Sequence, residues 1–148
     1  SSPSRGLGDV YKRQDKIKFE GDILSRLIAP TLRGNARAAA KMAAHISNYC
    51  ASKGTNKFTM TGWKELKNTL DILPFGMTKI ELKLLQTLKR DGMLRLYNLA
   101  AKMQMTRSAI QNGIEVYLQK LNLIEVTQNG REINKRWRGN IQIIMIKV

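Results

Sequence analysis

A single cysteine and a single histidine in 148 residues narrow the available chemistry at once. Cys50 alone cannot form an internal disulfide, which suits a reducing, intracellular setting. It is expected as a small core residue and not as a reactive thiol. His45 sits beside Ala44 in an alanine-rich stretch, with no Ser/His/Asp order and no Cys/His cluster at metal-ligand spacing. Nucleophilic triads and zinc sites therefore find no support, and His45 is expected as a partly exposed helix residue. No G-x-x-x-x-G-K-[ST] phosphate loop is present, so the chain cannot cradle a nucleotide alone. No apolar run reaches the ~18 residues that a membrane-spanning helix needs. The N-terminus lacks the apolar core of a signal peptide. Acidic side chains are also scarce: 11 Asp+Glu stand against 26 Lys+Arg, a formal net charge of +15 and a pI near 10.3. A field of that sign favours polyanionic partners, and nucleic acid is the commonest of them.

Hydrophobic residues make up 43% of the chain, enough for one domain or two small ones. Residues 1–14, SSPSRGLGDVYKRQ, show no helical or strand period and resemble a translated adapter leader. They are set aside, and the native chain is then expected to extend upstream. KIKFEGDILSRLIA has apolar residues at Ile17, Ile23, Leu24, Leu27 and Ile28, a helical spacing near its end that predicts a first helix, with Pro30 ending it. AAAKMAAHISNYCASKG predicts a second, capped by Asn35 and stopped at Gly54. A third begins near Thr61 and turns Trp63, Leu66, Leu70 and Leu73 inward. Pro74-Phe75-Gly76 is the clearest break, so residues 15–74 are expected as a three-helix module.

The remainder, 77–137, reads as a winged helix–turn–helix. TKIELKLLQTLKRDG carries the stripe Ile80, Leu84, Leu85 and Leu88. Met93-Leu94-Arg95-Leu96 can be a short strand. LYNLAAKM, with Leu99, Ala100 and Met103 inward, leads through QMT into RSAIQNGIEVYLQKL, with Ile110, Ile114, Tyr117, Leu118 and Leu121 inward and Asn122 as its left-handed stop. Two alternating strands around an Asn-Gly turn form the wing. Residues 138–148 form a tail whose end, IQIIMIKV, reads as a strand. The fold class is thus mainly α, with one small hairpin. The outward face of the third helix of this unit holds Arg107, Ser108, Gln111 and Asn112, which can donate to phosphates or base edges, with no carboxylate among them. Gln128, Asn129 and Arg131 are expected at the wing tip, with Lys135 and Arg136 beyond. A tip arginine can enter a minor groove or bond a phosphate.

Together, RGNAR (Arg33–Arg37), LDILPFGMTKIELKLL, NLAAKM and IQNGIEVYLQKLNLIEVTQNGRE resemble, in order and spacing, the C-terminal part of the RuvB family of Holliday-junction branch-migration ATPases. The resemblance covers about residues 20–137. It implies an AAA+ lid followed by a winged helix, with the ATPase core lying outside this chain. It also implies ATP and Mg2+ with that core only, no metal here, a homo-hexameric parent on duplex or junction DNA, and a cytoplasmic, nucleoid-associated bacterial or phage setting. Arg37, with Arg33 nearby, falls on the family's sensor-2 position, which reaches the nucleotide phosphates. Arg131 falls on the wing arginine that the family sets against DNA. Departures are Ala36 and Val116 for prolines, and Gln111 and Asn112 for carboxylates. Two alternatives remain: a non-enzymatic winged-helix regulator, or the lid and winged helix of another AAA+ replication protein.

Overall fold

The computed structural model describes residues 17–139. The leader 1–14 and the strand expected in IQIIMIKV lie outside them. The chain divides into two compact units, with the break between Met77 and Thr78.

The first unit opens with a short strand ahead of the predicted helix. Lys18–Phe19 (β1) pairs in parallel with Lys57–Phe58 (β2). The Lys18 amide donates to the Asn56 carbonyl at 2.8 Å and the Glu20 amide to the Phe58 carbonyl at 3.0 Å. A distant segment thus satisfies this backbone. The predicted first helix lies near the end of the segment but is irregular: a π turn, Leu24–Ile28, runs into a 3-10 turn, Ala29–Leu32. Pro30 does not stop it. It occupies the opening of the 3-10 turn, where its absent N–H is no loss.

Ala36–Lys53 (α1) begins as expected at Asn35, whose Oδ1 accepts from the amides of Arg37 and Ala38, and ends at Gly54 in the left-handed region. Met60–Thr69 (α2) starts earlier than Thr61 suggested. Thr59 is its cap, and the Glu20 carboxylate, forty residues back, accepts the Met60 amide at 2.7 Å. Ile28, Ile46, Phe58 and Trp63 lie in the core beneath these helices, with Cys50 buried among them. Phe58 takes Phe19 and Tyr49 edge-on at 6.0 and 5.6 Å between centroids. Gly76 is pressed against this unit: at φ +68°, an added Cβ would lie 2.2 Å from the Thr31 carbonyl oxygen.

The second unit begins with a capping box. Thr78 Oγ1 accepts the Glu81 amide and the Glu81 carboxylate accepts the Thr78 amide. This satisfies two free donors at the start of Lys79–Asp91 (α3). Leu82, Leu84, Leu85 and Leu88 form its buried stripe. Ile80, placed in that stripe from the sequence, is 41% exposed. Leu96–Met103 (α4) buries Leu99, Ala100 and Met103, and Gln104 stops it in the left-handed region. Residues 107–120 form one continuous helix, α5, in three parts: Arg107–Ala109, a π turn at Ile110–Ile114, and Glu115–Lys120. Its core face is Ile110, Ile114 and Leu118, and Asn122 takes the left-handed stop. Ile124–Thr127 (β3) and Gly130–Ile133 (β4) pair antiparallel, with Thr127 opposite Gly130. Leu94 adds a bridge to Arg131, a third short rung on the hairpin.

Candidate nucleic-acid interface

The exposed face of α5 is built by its cap and its stripe. Thr106 Oγ1 accepts the Ala109 amide at 3.0 Å and fixes the helix entry. Ile110, Ile114 and Leu118 then anchor one side, which leaves Arg107, Ser108, Gln111 and Asn112 outward. The Asn112 amide donates to Ser108 Oγ at 3.1 Å, so two of the four are held together. Arg107 and Gln111 have no such partner among the described residues. The helix widens where these groups are presented: the Glu115 amide bonds the Ile110 carbonyl across a π turn. Such turns recur at functional sites. Gly113 lies inside it, and space around its Cβ position is open.

The hairpin turn falls one residue earlier than the Asn-Gly reading put it. Gln128 and Asn129 are the exposed loop residues, and Gly130 opens β4. Thr127 Oγ1 ties the turn by accepting the Asn129 amide at 3.2 Å. Gly130 is required for a different reason. At φ +143°, its Cβ would lie 2.6 Å from the Leu94 carbonyl oxygen. Beyond β4, the Asn134 amide bonds the Leu123 carbonyl, and its Oδ1 accepts the Arg136 amide. That cap winds Lys135–Trp137 into a 3-10 turn with Lys135 and Arg136 exposed. Arg138, which the sequence did not single out, pairs with Glu132 at 2.8 Å.

Arg131 corrects the expected placement. It is not a free tip residue: only 7% of its surface is exposed. Its Nε donates to Glu115 Oε1 at 2.5 Å and its Nη2 to Oε2 at 3.4 Å. Glu115 is 2% exposed, on the core side of α5. Ionised groups are buried only when paired, and each accounts for the other. The sequence signal that could have found the pair is a lone carboxylate among Ile110, Ile114 and Leu118. Arg95 was also missed; it is an exposed cation at the start of α4.

In the first unit, Arg37 is exposed in the opening turn of α1. Arg33, in the left-handed region, directs Nη1 to the Gly76 carbonyl at 3.4 Å. His45 is exposed on α1. No group of three or more His, Cys, Asp or Glu side chains able to hold a metal occurs among the described residues. No described helix is long and apolar enough to cross a membrane.

An antiparallel hairpin following a capped, polar-faced helix is the winged-helix arrangement, and the family comparison agrees. Residues 74–137 match the RuvB C-terminal winged helix domain. The fold likeness extends beyond that domain. The RuvB Holliday junction branch migration motor of Thermotoga maritima superposes with a TM-score of 0.72 at 18% identity, over 95% of this chain and 47% of that one. Two point variants of Thermotoga maritima RuvB match with TM-scores of 0.72 and 0.71, at the same identity and coverage. The chain thus spans about half the length of the RuvB structures it resembles, and it has the fold of their C-terminal part. The second unit is mainly helical with one small hairpin among its described residues, as the sequence implied.

Proposed function

We propose that this chain is the lid and winged-helix part of a RuvB-like, ATP-dependent branch-migration motor, and that its second unit is the end that grips duplex or junction DNA. The observation that carries the proposal is the match of residues 74–137 to the RuvB winged helix, joined to an exposed helix face free of carboxylates. Arg107 supplies a charged donor for phosphate; Ser108, Gln111 and Asn112 supply neutral donors and acceptors for backbone or base edges. Gln128 and Asn129 at the wing, with Lys135 and Arg136, extend the contact along the backbone. The +15 net charge favours a contact dominated by phosphate, with steep salt dependence and little sequence preference.

In this reading the first unit acts as the lid of an AAA+ ATPase. The chain has no phosphate loop, so ATP and Mg2+ would be held by an ATPase domain, which supplies the hydrolysis. Arg37 suits a lid residue that senses phosphate, because it is exposed at a helix start, where a guanidinium and the helix N-terminus can face one anion. Arg33 would stand second to it, since it is turned towards Gly76. A hexamer of the parent protein belongs to the same proposal.

Fluorescence anisotropy with labelled four-way junction, linear duplex and random-sequence competitor tests it. The expected result is binding to both DNA forms, weakening steeply with salt, with no ATPase activity in this chain. High affinity for one palindromic sequence over random duplex would instead support a regulator.

A further inference from the structure

We propose that Arg131 is a positioning residue, whose guanidinium is locked onto Glu115 to hold the wing against α5 and takes no part in DNA contact. The inference rests on the DNA-binding reading above for its consequence, but on the second unit's interior for its evidence. One residue joins three segments. Its side chain reaches α5 through two bonds to the Glu115 carboxylate. Its amide donates to the Leu94 carbonyl at 2.7 Å, and its carbonyl accepts the Leu94 amide at 2.9 Å. It belongs itself to β4, opposite Val126. The α3–α4 connection, the wing and α5 therefore meet at this side chain and its peptide groups.

Two arguments set the role apart from a DNA contact. To reach a phosphate, the guanidinium would have to abandon Glu115, which would leave a buried carboxyl group without its partner. Arg107, Lys135 and Arg136 are exposed and can meet a phosphate without that penalty. Moreover, Glu115 sits among apolar side chains on α5, and Arg131 is the described partner that accounts for a carboxylate there. The pair sets the angle at which the wing stands to the polar face of α5. Loss of Arg131 should then weaken DNA binding through geometry, without removing a phosphate contact.

The experiment uses the full chain, Arg131→Met, and the double variant Arg131→Met/Glu115→Met. Each is followed by urea unfolding and by duplex affinity across a salt series. In the wild type, nitrogen NMR follows the Arg131 Nε–H in the free protein and during duplex titration. The expected results are slow exchange of the Nε–H and little shift on DNA addition. Arg131→Met should lower the unfolding midpoint and the affinity with an unchanged slope of log K against log salt, and the double variant should recover both. The proposal is overturned if the slope falls by about one unit in both variants while the affinity loss persists in the double. Fast Nε–H exchange, or a large Nε–H shift on DNA, overturns it even if the variants fail to fold. A wild type that binds no duplex would sink the DNA-binding reading, while exchange and the unfolding cycle would still decide the clamp.

Discussion

Gly130→Ala should unseat the wing, and its cost can be worked from the geometry. An alanine at φ +143° occupies a backbone region that side-chain-bearing residues rarely adopt, which costs about 1–3 kcal/mol. Its Cβ would also stand 2.6 Å from the Leu94 carbonyl oxygen and 3.2 Å from the Arg95 nitrogen. These are backbone atoms and cannot swing aside as a flexible side chain would. The strand must move, and the two Leu94–Arg131 hydrogen bonds weaken with it, at roughly 1 kcal/mol each. The total is about 3–5 kcal/mol, much of a small domain's stability. Urea unfolding monitored on the second unit reads the loss, and amide exchange at Leu94 and Arg131 locates it. Gly113→Ala is the matched control. It has open space around the new methyl, lies in a helix, and should stabilise by up to ~1 kcal/mol. If Gly130→Ala unfolds at the wild-type midpoint with unchanged exchange at both amides, the argument that the wing is seated by this contact is refuted.

Other outcomes follow from the same geometry. Leu85→Ala, in the fully buried stripe of α3, should cost roughly 3–5 kcal/mol by urea unfolding, whereas Ile80→Ala at an exposed position should cost far less. Tyr49 should ionise only near pH 12, first because its hydroxyl donates to Glu65 at 2.6 Å. Because the folded pKa is raised from 10.0 to about 12, its contribution is fully present below pH 10 and lost between there and about 12; an ultraviolet phenolate titration of wild type and Glu65→Gln should show the difference. Asp91 is held well below the usual carboxylate range by its hydrogen bonds from Arg90 and then Lys102. A depressed pKa stabilises above the unfolded value and is lost as pH falls through the folded one. Wild type should therefore outlast Asp91→Asn in thermal melts at neutral pH, and the two should converge in strong acid.

Much of the second unit was legible in the sequence because local and tertiary signals agree there. The leucine stripe of α3, the inward Ile110, Ile114 and Leu118, and the stop at Asn122 all follow from helical period and end chemistry. So does the outward placement of Arg107, Ser108, Gln111 and Asn112. What was misread depends on partners remote in the chain. The strand at Lys18–Phe19 was not read from the sequence, because the carbonyls that accept the Lys18 and Glu20 amides belong to the distant Asn56 and Phe58. Asn-Gly is a strong hairpin signal, yet Gly130 opens β4, where its φ of +143° and the Leu94 carbonyl together demand a glycine. Arg131 reads as a wing cation until Glu115, sixteen residues away, is seen beside it. Period alone shows which face is buried; it does not show which charge will follow a carboxylate into the interior.

Amide chemical-shift mapping of the full chain during titration with a short random-sequence duplex tests the central claim most directly. The account predicts that the largest shifts cluster at Arg107, Ser108, Gln111 and Asn112, with further shifts at Gln128, Asn129, Lys135 and Arg136, and that they fade as salt is raised. Shifts concentrated elsewhere in the chain, or no shifts at low salt, would contradict it.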